Sequence, residues 1–422
     1  MDWREESLLM IFLLYLSMRA IIWDMNITFM LFYFEPEAPT INYLYRPIWD
    51  KLIAMGHHIN IITPNPTRGV TLEEQAKYQD IRHEERDGMS IYRVPSYTYK
   101  PKDFSKYKLL RRYISVSRRL AAKLKQVPSD VVFVSTNPPL LYSYLVTRYC
   151  AKKKIPVIYN VQDIYPDNVF DHKTLKYKFF NYFQIKSLSR ASDIITISET
   201  MRNTLLRKGD FNRKMSVIYN FDISEVLKLK GSKAPHFFDP HQFNLVYAGN
   251  IGYVQDLDVI LSAAKKLLHN PKISFHIFGE GSQADRIAKR IHEEHIVNAT
   301  YYPAHSVEDS ALLYNYADVN LISVLPGIIE TALPLKTASC IAAGKPIIFI
   351  GLESFYHQET WVEQISHLYT VNYRNVEKLA ETVEKLLPTK NQVHHHTDVL
   401  SLFDKEKNVH QYVSVISKYL KK

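Results

Sequence analysis

The chain holds only two cysteines in 422 residues, Cys150 and Cys340, far apart and each in an apolar stretch. No disulfide framework follows, and a reducing compartment is the easier setting. Long apolar runs are also missing. Leu8 to Leu16 form a short one, soon interrupted by Arg19. It is too brief to span a bilayer, and acidic residues precede it where a secretory signal would be basic. Residues 1–24 are therefore expected to be an upstream extension or a misassigned start rather than an anchor. From Met25 onward no stretch of about 20 apolar residues occurs, so any membrane contact is expected from the surface. Low-complexity tracts and short-period repeats are absent as well.

What is present describes an ordinary globular chain, with 46% hydrophobic and 23% charged residues. Its length exceeds one usual core, which predicts two domains. The 29 tyrosines and 20 phenylalanines supply large apolar surfaces for cores and for stacking on ligands. The net charge of +10 is unevenly placed. Residues 25–220 carry 31 Lys and Arg against 17 Asp and Glu, whereas residues 221–422 carry 20 against 22. The first half should prefer an anionic partner such as a membrane surface.

Apolar periodicity alternates between short β-type runs and longer helical ones. Strands are expected at Ile27–Phe34, His58–Thr63, Ser90–Val94, Val131–Ser135, Val157–Val161, Ile194–Ile197 and Met215–Ile218. Helices fall at Ile41–Met55, about Phe104–Gln126, Leu140–Lys152 and after Ser198. After the polar segment Glu225–His236 the pattern restarts. Strands then fall at Asn244–Ala248, Ser274–Phe278, Thr300–Tyr302, Val319–Ile322 and Ile347–Ile350. Helices follow at Leu257–Leu268, Gln283–Glu294, Val307–Tyr316 and Pro334–Ala343. This predicts an α/β protein of two doubly wound Rossmann-like domains facing a central cleft, with ligands at the strand carboxyl ends. The divisions read are a 1–24 extension, domains at 25–220 and 221–403, and a C-terminal helix at 404–422 packing back on the first domain.

Several strand ends carry chemistry. Val246-Tyr247-Ala248-Gly249-Asn250-Ile251-Gly252 runs from a buried strand into a turn with two glycines, whose N–H groups can face a pyrophosphate. Without a ligand it is a tight strand–helix turn. Pro334 stands where a helix should begin, with Lys336 in the first turn and Gly344 closing the helix. A helix N-terminus with an added ammonium suits a phosphate. Phe278-Gly279-Glu280-Gly281 ends another strand. In the first half, Phe34-Glu35-Pro36-Glu37-Ala38-Pro39-Thr40 and Asn160-Val161-Gln162-Asp163-Ile164-Tyr165-Pro166-Asp167 follow strands. Asp163 is placed to meet a ligand, or else to make a cap or Asx turn.

In combination these motifs resemble glycosyltransferase family 4, and in particular bacterial enzymes that build capsule, exopolysaccharide and O-antigen units. The resemblance covers nearly all of residues 25–422. It implies the GT-B fold, a nucleotide-sugar donor held mainly by the C-terminal domain, no cofactor, no required metal, and retention at the anomeric carbon. It places Gly249, Asn250, Ile251 and Gly252 against the donor diphosphate, with Lys336 on the same phosphates. Glu280 would lie near the nucleotide, Asp163 near the transferred sugar or acceptor hydroxyl, and Pro39 and Thr40 in the acceptor loop. Many members carry two glutamates eight positions apart, near the sugar and the ribose. Aligning on Ala342-Ala343-Gly344-Lys345-Pro346 puts Thr331 and Ser339 there instead, with Glu330 one residue off. The segment resembles a subgroup with Pro-Ser-Lys, here Pro334-Leu335-Lys336.

Other signals carry less. Asp256-Leu257-Asp258 looks like a metal-binding Asp-x-Asp but is better explained by N-capping. His394-His395-His396 reads as an exposed loop rather than a metal site. The basic helix is more telling: Lys102 to Lys125 holds nine Lys and Arg against one acid, with Tyr107, Leu109, Leu110, Tyr113, Ile114 and Leu120 interleaved. That composition suits anionic lipid. Nucleic acid is not expected, since no such motif accompanies the charge.

The expectation is thus a retaining hexosyl- or N-acetylhexosaminyl-type glycosyltransferase, peripheral at the cytoplasmic face of the plasma membrane. It would use a UDP-linked donor and a lipid-linked acceptor, with Asp163 and Lys336 carrying the reaction. A UDP-sugar 2-epimerase of the same fold and a catalytically silent scaffold are the alternatives.

Overall fold

The computed structural model describes residues 24–37, 39–67, 70–96, 105–136, 140–221, 224–229, 238–303, 307–351, 359–394 and 397–420. Contacts divide the chain into two units. The first runs to Thr196 and adds Lys208–Ser216 and Val409–Lys422; the second takes Ile197–Arg207 and Val217–Asn408. This division differs from a single break near residue 220. The cause lies in one buried carboxylate. Glu359, fully buried, accepts the Thr200 N–H at 2.8 Å and hydroxyl at 3.1 Å, the Tyr219 hydroxyl at 2.6 Å and the Trp361 indole N–H at 2.8 Å. A buried charge requires such partners, and they bind Ile197–Arg207 into the second unit.

The first unit contains β1 Asn26–Met30, β2 His58–Pro64, β3 His83–Arg86, β4 Met89–Val94, β5 Val131–Ser135, β6 Val157–Val161, β7 Asp193–Thr196 and β8 Met215–Val217. Their order is β3-β4-β2-β1-β5-β6-β7-β8, with β1, β2 and β4–β7 in parallel register and β3 antiparallel on β4. Its helices are α1 Pro39–Ala54, α2 Leu72–Lys77, α3 Lys106–Leu124, α4 Leu141–Lys153 and α5 Leu175–Arg190. Successive strands move one way from β1 and the other way from β5, so the strand order reverses between them. Phe29 on β1 meets Phe133 on β5 at 4.8 Å and Trp49 on α1 at 5.8 Å. Tyr412, from the C-terminal helix, adds a ring 6.3 Å from Phe133.

Strand β1 ends at Met30, shorter than the expected Ile27–Phe34. The remaining apolar residues are buried off the sheet: Phe32 packs on Tyr113 and Tyr142, and Phe34 on Trp49. An apolar run thus marks burial, not strand length. The sequence reading also lacked α2, β3 and α5. The expected basic helix is present as α3, its Phe104 start lying outside the described residues.

The second unit contains α6 Glu199–Leu206, α7 Ser224–Lys228, β9 Phe243–Ala248, α8 Asp258–Lys266, β10 Ile273–Phe278, α9 Ala284–Glu293, β11 Ala299–Tyr302 and α10 Val307–Tyr316. Further on come β12 Val319–Ser323, α11 Lys336–Ala343, β13 Ile347–Ile350, α12 Thr360–Glu363, β14 Leu368–Val371, α13 Val376–Leu386 and α14 Thr397–Leu400. The last helix, α15 Lys405–Ser417, passes from this unit into the first. The all-parallel sheet has the order β11-β10-β9-β12-β13-β14. Strands β9, β10, β12 and β13 are buried throughout, as a sheet covered by helices on both faces requires. Here the order reverses between β9 and β12, which opens a crevice at their carboxyl ends.

Candidate functional site

The Gly249–Gly252 turn leaves β9 at that reversal. Its amides are not an open cradle, however. The Gly249 N–H donates to the Phe278 carbonyl at 3.0 Å and the Ile251 N–H to the Glu280 carbonyl at 2.8 Å. The Gly252 N–H donates to Gln255 Oε1 at 3.0 Å, which also takes Asn250 Nδ2 at 3.1 Å. The expectation that this turn presents free amides is corrected: the β10 turn occupies two of them and the Gln255 side chain a third. The second glycine pair explains how. A Cβ on Gly279 would stand 1.8 Å from the Gly249 carbonyl oxygen, and one on Gly281 2.3 Å from that of Ile251. Both have positive φ, +141° and +152°. Glycine at these positions lets two backbones touch, which fixes the β9 turn on the β10 turn.

Lys336 opens α11 beside this turn. The helix starts there and not at Pro334; Leu335 before it already has helical backbone angles but offers no side-chain cap, and the Pro334 carbonyl accepts the Thr337 N–H at 3.0 Å. The Lys336 Nζ lies 3.6 Å from the Tyr247 ring centroid and is buried with no hydrogen-bond partner among the described residues. A Cβ on Gly249 would come within 2.8 Å of it. Burial pulls its pKa down to about 7. Tyr247 in turn donates its hydroxyl to the Asn250 carbonyl at 2.7 Å. A lone ammonium held over an aromatic face, at a helix start and a strand-order reversal, is equipped to meet a phosphate.

The other expected donor contacts divide. Asn250 and Glu280 are exposed at the rim, Ile251 is fully buried in the core, and Ser339 is half-buried. Leu335 is exposed. The Thr331 hydroxyl is turned inward to the Ile328 carbonyl at 2.7 Å, closing its own turn. Glu330 lies 3.5 Å from the Arg207 guanidinium, within the same unit. In the first unit Asp163 follows β6, and its N–H donates to Thr136 Oγ1 at 3.3 Å. Burial raises its carboxyl to about 6. No hydrogen bond to that carboxylate occurs among the described residues, so the cap or Asx-turn reading does not hold. Pro39 and Thr40 form the first turn of α1, at the carboxyl end of β1.

Asp256 and Asp258 are not caps. Leu257 precedes α8, Asp256 is left-handed at φ 38°, and Asp258 binds Arg286 at 2.8 Å and Arg290 at 2.7 Å. His394 is not a loose loop residue: it stacks on His367 at 4.4 Å and donates its N–H to the Gly344 carbonyl at 2.7 Å. His395 and His396 lie outside the described residues. Two participants were missed. Tyr247 reads in the sequence as strand core, and Glu359 has no local pattern.

Residues 49–221 match Glycosyltransferase Family 4, and residues 231–397 match Glycosyl transferases group 1. WcaI of Escherichia coli (strain K12), assigned as a colanic acid biosynthesis glycosyl transferase, is 24% identical over 410 residues, 91% of this chain and 97% of that protein. Sucrose-phosphate synthase from Thermosynechococcus elongatus superposes with a TM-score of 0.70 at 15% identity, over 93% of this chain and 98% of its own. Anabaena Alr3699/HepE in complex with UDP does so at 0.62 and 12%, over 93% and 100%. Two consecutive family matches spanning both sheets, on a pair of parallel α/β units of the GT-B type, place the chain in glycosyltransferase family 4.

Proposed function

We propose that the chain moves a sugar from a UDP-linked donor to a lipid-linked glycan acceptor during surface-polysaccharide synthesis, at the cytoplasmic face of the membrane and with retention. The observation that carries the reading is the Lys336 ammonium, buried and unpartnered over Tyr247 at the carboxyl end of β9. The likeness to WcaI over almost the whole of both chains supports the pathway class, and the UDP held by the Anabaena neighbour supports the nucleotide.

The second unit holds the donor. Its diphosphate replaces the Tyr247 ring as the partner of Lys336, while the start of α11 adds its dipole. The bond from the anomeric carbon to the diphosphate oxygen breaks, and the acceptor hydroxyl oxygen forms the new bond on the same face. Lys336 stabilises the charge that develops on the leaving diphosphate. Asp163, in the first unit, accepts a hydrogen bond from the acceptor hydroxyl and orients it, and the hydroxyl proton leaves to the departing phosphate. Exposed Asn250 and Glu280 lie where the nucleoside can meet them.

Purified protein is incubated with UDP-, GDP- and dTDP-sugars, with and without membrane lipid extract, and nucleotide release is followed. Acceptor-dependent release of UDP, lost in Lys336→Ala, is expected, and the anomeric configuration of the product shows retention or inversion. Sugar conversion without acceptor would indicate an epimerase. Silence with every donor and with lipid extract would turn the reading to a scaffold.

A further inference from the structure

Helix α5 turns an apolar stripe away from its own unit. Leu175, Phe179 and Tyr182 are 82%, 59% and 50% exposed. Steps of four and three residues align them on one face, and exposed Lys186 extends the row. The opposite face, with Tyr177, Gln184, Ser187 and Leu188, holds the helix in place. Packed rings support the stripe from beneath. Phe183 lies 4.9 Å from both Phe179 and Tyr144, and Phe170 stacks on Phe180 at 5.7 Å.

The charge along the helix that carries this stripe has one sign. Helix α5 carries Lys176, Lys178, Lys186 and Arg190 and no acidic residue. Asp171, just before it, turns back to accept the Lys173 N–H at 2.8 Å. Helix α3 repeats the arrangement, with Tyr107, Leu110 and Ile114 exposed beside Lys108 and Arg111, and again no acid. Helix α4 packs against both. The connections through α3, α4 and α5 all step in the same direction along the sheet, so right-handed crossovers put the three helices on one face. Both stripes lie toward the helix N-termini, hence at the strand carboxyl end that also bears Asp163. At about 1.5 Å per residue each stripe is ~10 Å long, and two helix spacings separate them by ~20 Å.

Exposed rings and aliphatic side chains bordered by lysine and arginine, with no acid within either helix, are complementary to an anionic bilayer. The apolar groups enter the acyl boundary while the cations meet lipid phosphates. We infer that the outer faces of α3 and α5 form a two-ridged lipid-docking surface that holds the strand carboxyl end of the first unit against an anionic membrane. The inference deepens the membrane assignment made above and rests on it, with α5 as the newly assigned ridge.

The test is co-sedimentation of the full chain with phosphatidylglycerol/phosphatidylethanolamine vesicles and with phosphatidylcholine vesicles. The wild type should pellet with the anionic vesicles only. A Leu175→Ser/Phe179→Ser/Tyr182→Ser variant should bind roughly tenfold more weakly or worse, while still unfolding in one cooperative transition because each side chain is at least half exposed. In a Phe179→Trp variant, emission should shift to the blue and be quenched by brominated lipid. Nucleotide release measured with detergent-dispersed acceptor should be the same for the triple-serine variant and the wild type. Loss of that release in the wild type would strike the transferase reading and leave lipid docking standing. Equal vesicle binding by wild type and triple variant, or no binding by the wild type, overturns the docking surface. So does a wild-type dimer that the triple variant converts to monomer, since the stripe would then be a contact between copies.

Discussion

The Lys336 ammonium lies 3.6 Å from the centroid of the Tyr247 ring, buried and with no hydrogen-bond acceptor among the described residues. A ring face offsets only part of what water gives an ammonium, so the native state carries a cost at this position. Burial lowers the pKa from 10.5 to about 7. The unfolded chain therefore holds more protons on this group between those values. Its destabilising effect is full below pH 7 and fades as pH rises toward 10.5.

Replacing Lys336 by Met should therefore stabilise the protein while ending nucleotide release. At pH 6.5 the gain should be at least about 1 kcal/mol, or ~2–4 °C in melting temperature. Differential scanning calorimetry at pH 6.5 and pH 9.5 checks this, and the gain should shrink at the higher pH. A lower melting temperature at both would show that Lys336 is a structural lysine.

Donor binding should take up a proton above neutral pH. A diphosphate beside Lys336 favours the charged form and raises its pKa, so at pH 8 the group protonates as UDP binds. Calorimetric titration with UDP in buffers of different ionisation enthalpy measures the uptake. It should approach one proton at pH 8, fall toward zero at pH 5.5, and be missing in Lys336→Ala.

Asp163 should set the acid limb of activity. Burial raises its carboxyl from 3.8 to about 6, and the ionised form is the one that accepts from a hydroxyl. Turnover should rise as pH increases through 6, and Asp163→Asn should lose on the order of 10²-fold or more in kcat. A wild-type profile flat from pH 5 to 8 would remove Asp163 from the reaction.

Glycine positions offer a paired test. Alanine at Gly279 would force a Cβ to 1.8 Å from a backbone oxygen at φ +141°, whereas at Gly327 it meets nothing within 4 Å at φ +81°. Gly279→Ala should cost several kcal/mol and UDP affinity with it; Gly327→Ala should cost about 1 kcal/mol. Urea unfolding and UDP titration of both variants separate the two effects.

Glu359→Gln should lower stability by about 2–4 kcal/mol, because an amide nitrogen must then face Thr200, Tyr219 or Trp361 donors. The loss should appear in urea unfolding, with no change in UDP affinity if only packing is affected.

The middle strands of the two sheets were legible because they are buried on both faces, which writes them as runs such as Ile347–Ile350. Helix α5 was not, since Leu175, Phe179 and Tyr182 put apolar residues on its solvent side and blur the helical period. Of the site, Gly249 and Lys336 could be found from a strand end and a helix start. The occupied amides of Gly249 and Ile251 could not, because the Phe278 and Glu280 carbonyls take them from about thirty residues away, an approach that Gly279 and Gly281 permit. Asp163 stood out as a polar residue after a strand, yet its buried carboxyl depends on neighbours that no local pattern records. Glu359 meets Thr200 across 159 positions, beyond any periodicity.

That long-range contact bears on how this enzyme can be recombined. A chimera cut once near residue 220 would give the second unit a foreign partner for Glu359 and leave Ile197–Arg207 behind in the wrong parent. The tail Val409–Lys422 would also be taken from the half it packs on. The second unit can be exchanged whole only by moving Val217–Asn408 together with Ile197–Arg207, so the inheritable cassette is two pieces of sequence, not one.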